Sequence, residues 1–287
     1  RMLHYFEYLE ARSENDLVVS DQPEQWVLGD WCTPTKIEIP APYVNTYFHV
    51  KSLLRVIDIC KILGKEDKIA PLEDRVLVKK AAITKHYFDA QTGDFAGNIQ
   101  GANAFAVDIG LGDERTFSNM VEHYRQKTVY DTGIFGTDIL TRVLFERNED
   151  QLAFDLLTSQ GDYSFWRWMT DGCTTLPEYW TYQRSQNHPM FGAVTKYLFQ
   201  YLLGIRAQTA GYGKVILQPR FVNGMDYADG YITTVRGKIA LKYEKRCGKV
   251  SIDVDVEKAV DATLIVGNEQ IKLQGGKQHF VFDMDCQ

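Results

Sequence analysis

Between Gly204 and Gly213 the chain changes its hydrophobic period, and no single element accommodates both sides of that change. Before it, apolar residues recur at spacings of three and four. After it, they alternate one by one. The first is the repeat of an amphipathic helix and the second that of a half-buried strand. The chain therefore reads as two domains in series, helical over 1–207 and β-rich over 208–287, mainly α overall.

The helical part is a succession of stripes. Val50, Leu53, Leu54 and Ile57 form the first, with Gly64 as its stop. A second helix is expected to begin near Pro71, a favoured first-turn residue, and to run toward Phe88. Ala102, Phe105, Ala106 and Ile109 repeat the pattern. Phe117, Met120, Val121 and Tyr124 follow, then Ile139, Leu140, Val143 and Leu144, then Leu152, Leu156 and Leu157. A last stripe (Met190, Val194, Tyr197, Leu198, Tyr201, Leu202) ends at Gly204. There is no short-period repeat, so a solenoid is excluded. Helix hairpins with long loops on one side suit a toroid of helix pairs, or a bundle, and periodicity does not separate the two. In the β part Val250, Ile252, Val254 and Val256 share one face, while Gly267-Asn268 and Gly275-Gly276 signal hairpin turns. A small antiparallel sandwich is expected.

The net charge of -6 supplies no basic face for phosphates, which argues against a nucleic-acid partner. No window approaches the ~18 continuous apolar residues of a membrane span, and no membrane partner is expected. The five cysteines (Cys32, Cys60, Cys173, Cys247, Cys286) have neither zinc spacing nor a disulfide framework, so free thiols are expected and no metal. The chain opens at Arg1 as though inside a helix and reads as a fragment of a longer polypeptide, whose compartment (periplasmic, extracellular or cytoplasmic) stays open.

The chemistry gathers in Asp171–Gly192, reading DGCTTLPEYWTYQRSQNHPMFG. One acid, Glu178, lies among Tyr179, Trp180 and Tyr182, with Asn187 and His188 further on. Carboxylates move protons, flat aromatic faces accept sugar rings, and small polar groups bind hydroxyls. Pro177 disfavours helix at Leu176 and puts the acid on a loop. Upstream, Gly29-Asp30-Trp31 precedes a proline-rich loop. Trp166 and Trp168 flank Arg167, serving either a sugar subsite or the core. Asp131, Asp138 and Asp171 lie near glycines and read as turn residues. A Cys173/His188 nucleophile pair is a rival chemistry that lacks an orienting acid.

The order of these residues resembles the α-L-rhamnosidases of glycoside hydrolase family 78. There a Gly-Ala-Thr-Thr-Ile-Trp-Glu-Arg-Trp stretch carries the catalytic base, and an Asn-His-x-Met-Phe-Gly follows. Gly172, Thr174, Thr175, Glu178, Trp180, Asn187, His188, Met190, Phe191 and Gly192 match, while Cys173, Pro177 and Tyr179 replace alanine, tryptophan and arginine. Gln100 and Thr132-Gly133-x-x-Gly136-Thr137 match as well. The resemblance implies the second half of an (α/α)6 barrel followed by the sandwich, packed against the remainder of its own parent chain. It also implies inverting hydrolysis of a rhamnose-containing glycan or glycoside without a cofactor. Glu178 would activate water, Asp30 and His188 would bind sugar hydroxyls, and Trp31 and Trp180 would form apolar walls. The general acid would belong to the parent's other part, leaving the fragment alone inactive. Two other readings stay open: an unsaturated-uronyl hydrolase or lyase on a helical toroid, and a non-catalytic glycan-binding protein.

Overall fold

The computed structural model describes residues 1–19 and 28–284; Cys286, noted above, lies outside them. The chain divides into two compact units, Arg1–Gly192 and Ala193–Gln287. The expected division at 207/208 falls instead after the first strand of the sheet unit, because Ile205–Ala207 already pairs there.

The first unit is helical. Helix α1 (Met2–Glu10) leads into a two-strand turn, β1 (Ser13–Glu14) and β2 (Leu17–Val18). Helix α2 (Ala41–Ile62) buries Val50, Leu53 and Ile57 of the expected stripe, leaves Leu54 half-buried, buries Tyr43 and Tyr47 as well, and packs on α3 (Ile69–Tyr87). Each such side chain contributes about 1.5–3 kcal/mol when fully buried. Lys79 of α3 is buried too, its ammonium 2.7 Å from Glu10 Oε2, since a charge this deep needs a partner. Strands β3 (Phe88–Asp89) and β4 (Asp94–Phe95) make the turn to α4 (Ala102–Asp108).

Helix α5 (Glu114–Lys127) starts on a capping box: Asp113 Oδ1 accepts from the N–H groups of Arg115 and Thr116 at 2.9 and 3.2 Å. Helices α6 (Ile134–Glu146) and α7 (Asp150–Leu157) follow their stripes. The sequence pattern did not reveal α8 (Phe165–Thr170), which buries Trp168 and leaves Trp166 half-buried. The last stripe, which from Ala193 on belongs to the second unit, is an irregular helix: a 3-10 turn over Met190–Val194, one α turn, then a π turn over Leu198–Leu202, closed by Gly204 at φ +85°. Among the described residues no helix is long and apolar enough to cross a membrane.

The second unit holds β5 (Ile205–Ala207), β6 (Lys214–Leu217), β7 (Tyr227–Thr234), β8 (Gly237–Arg246), β9 (Lys249–Val256), β10 (Asp261–Val266), β11 (Glu269–Lys272) and β12 (Gly276–Asp283). They form two four-stranded sheets, ordered β11-β10-β6-β5 and β12-β9-β8-β7. Val215, Leu217, Ala262 and Leu264 of one sheet and Ile239, Leu241, Ile252 and Val254 of the other share a single apolar core.

Two details depart from the expectation. Strands β6 and β10 pair in parallel, because the β7–β9 meander lies between them in sequence and returns the chain in the same direction. Gly275-Gly276 is not a hairpin turn either, since β11 and β12 belong to different sheets and the glycines carry the chain from one to the other. Gly267-Asn268, by contrast, is the two-residue turn of the β10–β11 hairpin.

Candidate active site

The loop after residue 28 is held in place by its own buried acid. Asp30 has no exposed surface. Its Oδ2 accepts from Gly133 N–H at 2.7 Å, and its Oδ1 accepts from Phe135 and Gly136 N–H at 3.0 and 2.9 Å. These N–H groups belong to the first turn of α6, where no carbonyl precedes them to accept. Asp30 is thus a cap supplied from a distant loop. Desolvation by burial pushes its carboxyl up to about 7, against the three N–H bonds, which lower it.

The glycines of Thr132-Gly133-x-x-Gly136-Thr137 are the seat for this loop. A Cβ on Gly133 would stand 2.2 Å from the Trp31 carbonyl oxygen, and one on Gly136 would stand 2.4 Å from Asp30 Oδ2. Ile134 N–H donates to that same Trp31 carbonyl at 2.8 Å. Further along the loop, Gln100 is buried at φ +44° and clamps three backbone groups. Its Oε1 accepts from Glu38 and Ile39 N–H at 2.8 and 3.1 Å, and its Nε2 donates to the Lys36 carbonyl at 2.9 Å.

The second half of the site is the stretch 173–188, folded back on itself. Glu178 N–H donates to the Ser185 carbonyl at 2.8 Å, and Ser185 N–H returns to Glu178 Oε2 at 3.3 Å. His188 N–H donates to the Leu176 carbonyl at 2.7 Å, and the Thr175 hydroxyl to the Gln186 carbonyl. Tyr182 and Arg184 make the turn, at φ +62° and +59°. Glu178 and His188 are therefore brought onto neighbouring rungs of two paired arms, ten residues apart in sequence. Both are half-buried. Glu178 has no cationic partner among the described residues, and His188 Nδ1 is a buried nitrogen without a hydrogen-bond partner there.

Trp31 joins this assembly. It is half-buried and meets Tyr179 edge-on at 5.7 Å between ring centroids. Cys32 lies buried beside the pair, its thiol pushed up to about 12 by burial although the Tyr179 hydroxyl bonds to it, so it stays protonated.

The resemblance implies a sugar-hydroxyl contact for Asp30 and an apolar wall for Trp180, and the structure encloses both side chains. Asp30 has neither exposed surface nor an oxygen without a donor. Trp180 is 1% exposed, stacked on Trp168 at 4.7 Å and packed against Tyr130, Phe165 and Phe191. Its indole N–H donates to the Thr132 carbonyl at 2.9 Å. No face is left for a sugar. Both residues instead tie their loops to the start of α6, Asp30 from one side and Trp180 from the other.

Of the other acids, Asp171 accepts from Tyr182 OH and Arg167 Nε at 2.6 and 3.0 Å, and Asp131 from Tyr124 OH at 2.6 Å with Lys127 alongside. An open hollow of about 480 Å³ runs along the folded stretch, lined by Asp171, Cys173, Thr175, Tyr182 and Gln186 among others. Among the described residues no group of three His, Cys, Asp or Glu side chains could hold a metal ion.

This geometry sits in a chain whose residues 1–202 match the bacterial α-L-rhamnosidase six-hairpin glycosidase domain and whose residues 204–280 match the bacterial α-L-rhamnosidase C-terminal domain. The chain belongs to the bacterial α-L-rhamnosidase family. An α-L-rhamnosidase of Formosa agariphila is 25% identical over 92% of this chain, and one of Alteromonas sp. is 26% identical over 92%. The chain spans 30% and 31% of those two relatives' lengths. Among solved structures, the α-L-rhamnosidase of Streptomyces avermitilis complexed with L-rhamnose superimposes with a TM-score of 0.87 at 21% identity, over 98% of this chain and 30% of that one. That of Dictyoglumus thermophilum gives 0.85 at 20% identity, over 98% and 36%. At these identities the rhamnosidase structures support the fold: a helical part followed by a sheet domain.

Proposed function

We propose that this chain is the base-bearing part of an inverting α-L-rhamnosidase, acting on terminal α-L-rhamnosyl groups within a longer parent protein. In this reading the helical unit is the second half of an (α/α)6 barrel, the sheet unit is a sandwich, and the remaining barrel helices come from elsewhere in the parent. The observation that carries the reading is the fold of 173–188 into two arms that set Glu178 and His188 on neighbouring rungs, with Trp31 against Tyr179, the residue after the acid. Among the described residues Glu178 accepts a single N–H bond and has no neutralising cation, so lone pairs remain to take a proton from water. His188 is half-buried, which leaves part of its ring to meet a sugar hydroxyl, and Trp31 offers an apolar wall.

Inversion requires a general acid on the opposite face of the sugar, with the two carboxyl groups about 6.5–9.5 Å apart so that water fits between. The resemblance implies that this acid belongs to the parent's other part, and in this reading the chain alone turns nothing over. No cofactor is needed.

The test is release of L-rhamnose from an aryl α-L-rhamnoside by the full-length parent, beside Glu178→Ala. The expected outcome is a loss of several orders of magnitude in kcat with inverted sugar as the wild-type product. Equal activity in the two proteins would move the base elsewhere, and retained configuration would exclude the water-activating role.

A further inference from the structure

We propose that Arg184 is a specificity-determining residue of this site, one that recognises an anionic group, carboxylate or sulfate, carried by the substrate's glycan. The proposal rests on the rhamnosidase reading above and adds to it a class of substrate.

Arg184 occupies the turn between the two arms, and its side chain is exposed. The guanidinium lies 5.6 Å from the Trp31 ring centroid and 5.8 Å from that of Tyr179. Both distances are within cation–π reach, which fixes the group at the rim of the aromatic pair. Trp31 and Tyr179 are half-buried while Arg184 is exposed, so the guanidinium faces whatever projects outward from a sugar held against Trp31.

Its partners are the second point. Among the described residues the Arg184 guanidinium has no ion pair and no side-chain hydrogen bond. The contrast is Arg167, whose Nε is taken by Asp171 at 3.0 Å. Glu178 turns its Oε2 to the Ser185 N–H instead. A planar fork of five donors is thus held over two rings and left open, in a chain whose net charge is -6. Such a fork matches the paired oxygens of a carboxylate or sulfate.

The sequence adds a third point. Where the resembling motif has an arginine directly after its acid, this chain has Tyr179. The guanidinium here arrives from the opposite arm and lies over that tyrosine. The feature belongs to this chain's own hairpin, which is where selectivity between substrates is expected to vary.

The full-length parent is assayed on 4-carboxyphenyl, 4-sulfophenyl and neutral 4-carbamoylphenyl α-L-rhamnosides, as wild type, Arg184→Asn and Arg184→Lys. Asparagine tolerates the positive φ of this turn, and lysine keeps the charge. The expected result is an anionic-to-neutral ratio of kcat/KM that falls about tenfold in Arg184→Asn and is largely restored in Arg184→Lys. The wild-type ratio should also shrink as salt is raised. A fall confined to the carboxyphenyl compound assigns a uronate, one confined to the sulfophenyl compound assigns a sulfate ester, and a fall in both assigns either anion.

A ratio unchanged by Arg184→Asn overturns the proposal, as does an equal fall on all three compounds that lysine fails to restore, which makes the residue hairpin packing. Wild-type inactivity on all three, the neutral compound included, removes the rhamnosidase reading itself along with the proposal.

Discussion

Gly136→Ala should invert the usual sign of such a change. In an ordinary helix interior, alanine is favoured over glycine by about 0.8–1.0 kcal/mol. Here the new methyl would stand 2.4 Å from Asp30 Oδ2, against a side chain that cannot retreat without losing three N–H bonds. Denaturant melts of the full-length parent should therefore show destabilisation, and the cost should be non-additive with Asp30→Asn because the two residues share one contact. Asp30 also sets a pH dependence. Its carboxyl is raised from 3.8 to about 7, so between those values the folded chain holds a proton that the unfolded chain has released. Stability contributed by this group is full below about pH 4 and declines as pH rises toward about 7. Asp30→Asn should flatten that part of the stability–pH curve, as read by chemical denaturation across the range. At this scale the sequence was only half legible. Asp30 and Trp180 were both given sugar-binding roles by the resemblance, yet a resemblance does not say which way a side chain faces. Trp31 and Trp180 are the same residue type in similar company, and only tertiary packing leaves one accessible and encloses the other.

Gln100 and the loop it clamps make the case at the scale of elements. Its amide holds three backbone groups of 36–39, downstream of Trp31. Gln100→Ala should raise KM for an aryl rhamnoside more than it lowers kcat, since the loop would lose its register while Glu178 keeps its own frame of bonds to Ser185. Equal effects on both constants would contradict that division. Asp113→Ala, which removes the capping box of α5, should cost about 1 kcal/mol of stability and leave KM unchanged. Helices were the most readable elements, because stripes such as Phe117, Met120, Val121 and Tyr124 report burial directly. The folded-back arms of 173–188 were not readable. Their pairing is made by irregular backbone bonds, with positive φ at Tyr182 and Arg184, and carries no periodic signal. Thr132-Gly133-x-x-Gly136-Thr137 was a signal in plain view: two glycines at the start of a helix announce that another backbone comes close.

At the scale of the molecule, the two compact units have separate cores. Ile252→Ala, a deletion in the core shared by the two sheets, should cost about 2–5 kcal/mol. It should lower the unfolding transition of residues 193–287, followed by hydrogen exchange in β8 and β9, while exchange in α2 and α6 stays as in the wild type. Loss of protection in both units at once would mean that they unfold as one. The period change near Gly204 announced two units, but not the parallel β6–β10 pair, since strand direction is decided by the intervening meander and leaves no mark in either strand. The bonds from Asp30 to α6 carry a consequence in time as well as in space. They join positions 103 to 106 residues apart, and the Trp180–Thr132 bond spans another 48. Closing loops of that length is entropically slow compared with winding a helix. Refolding should therefore recover helical circular dichroism well before the tryptophan environment, so the surface proposed for sugar is the last part of the helical unit to come into being.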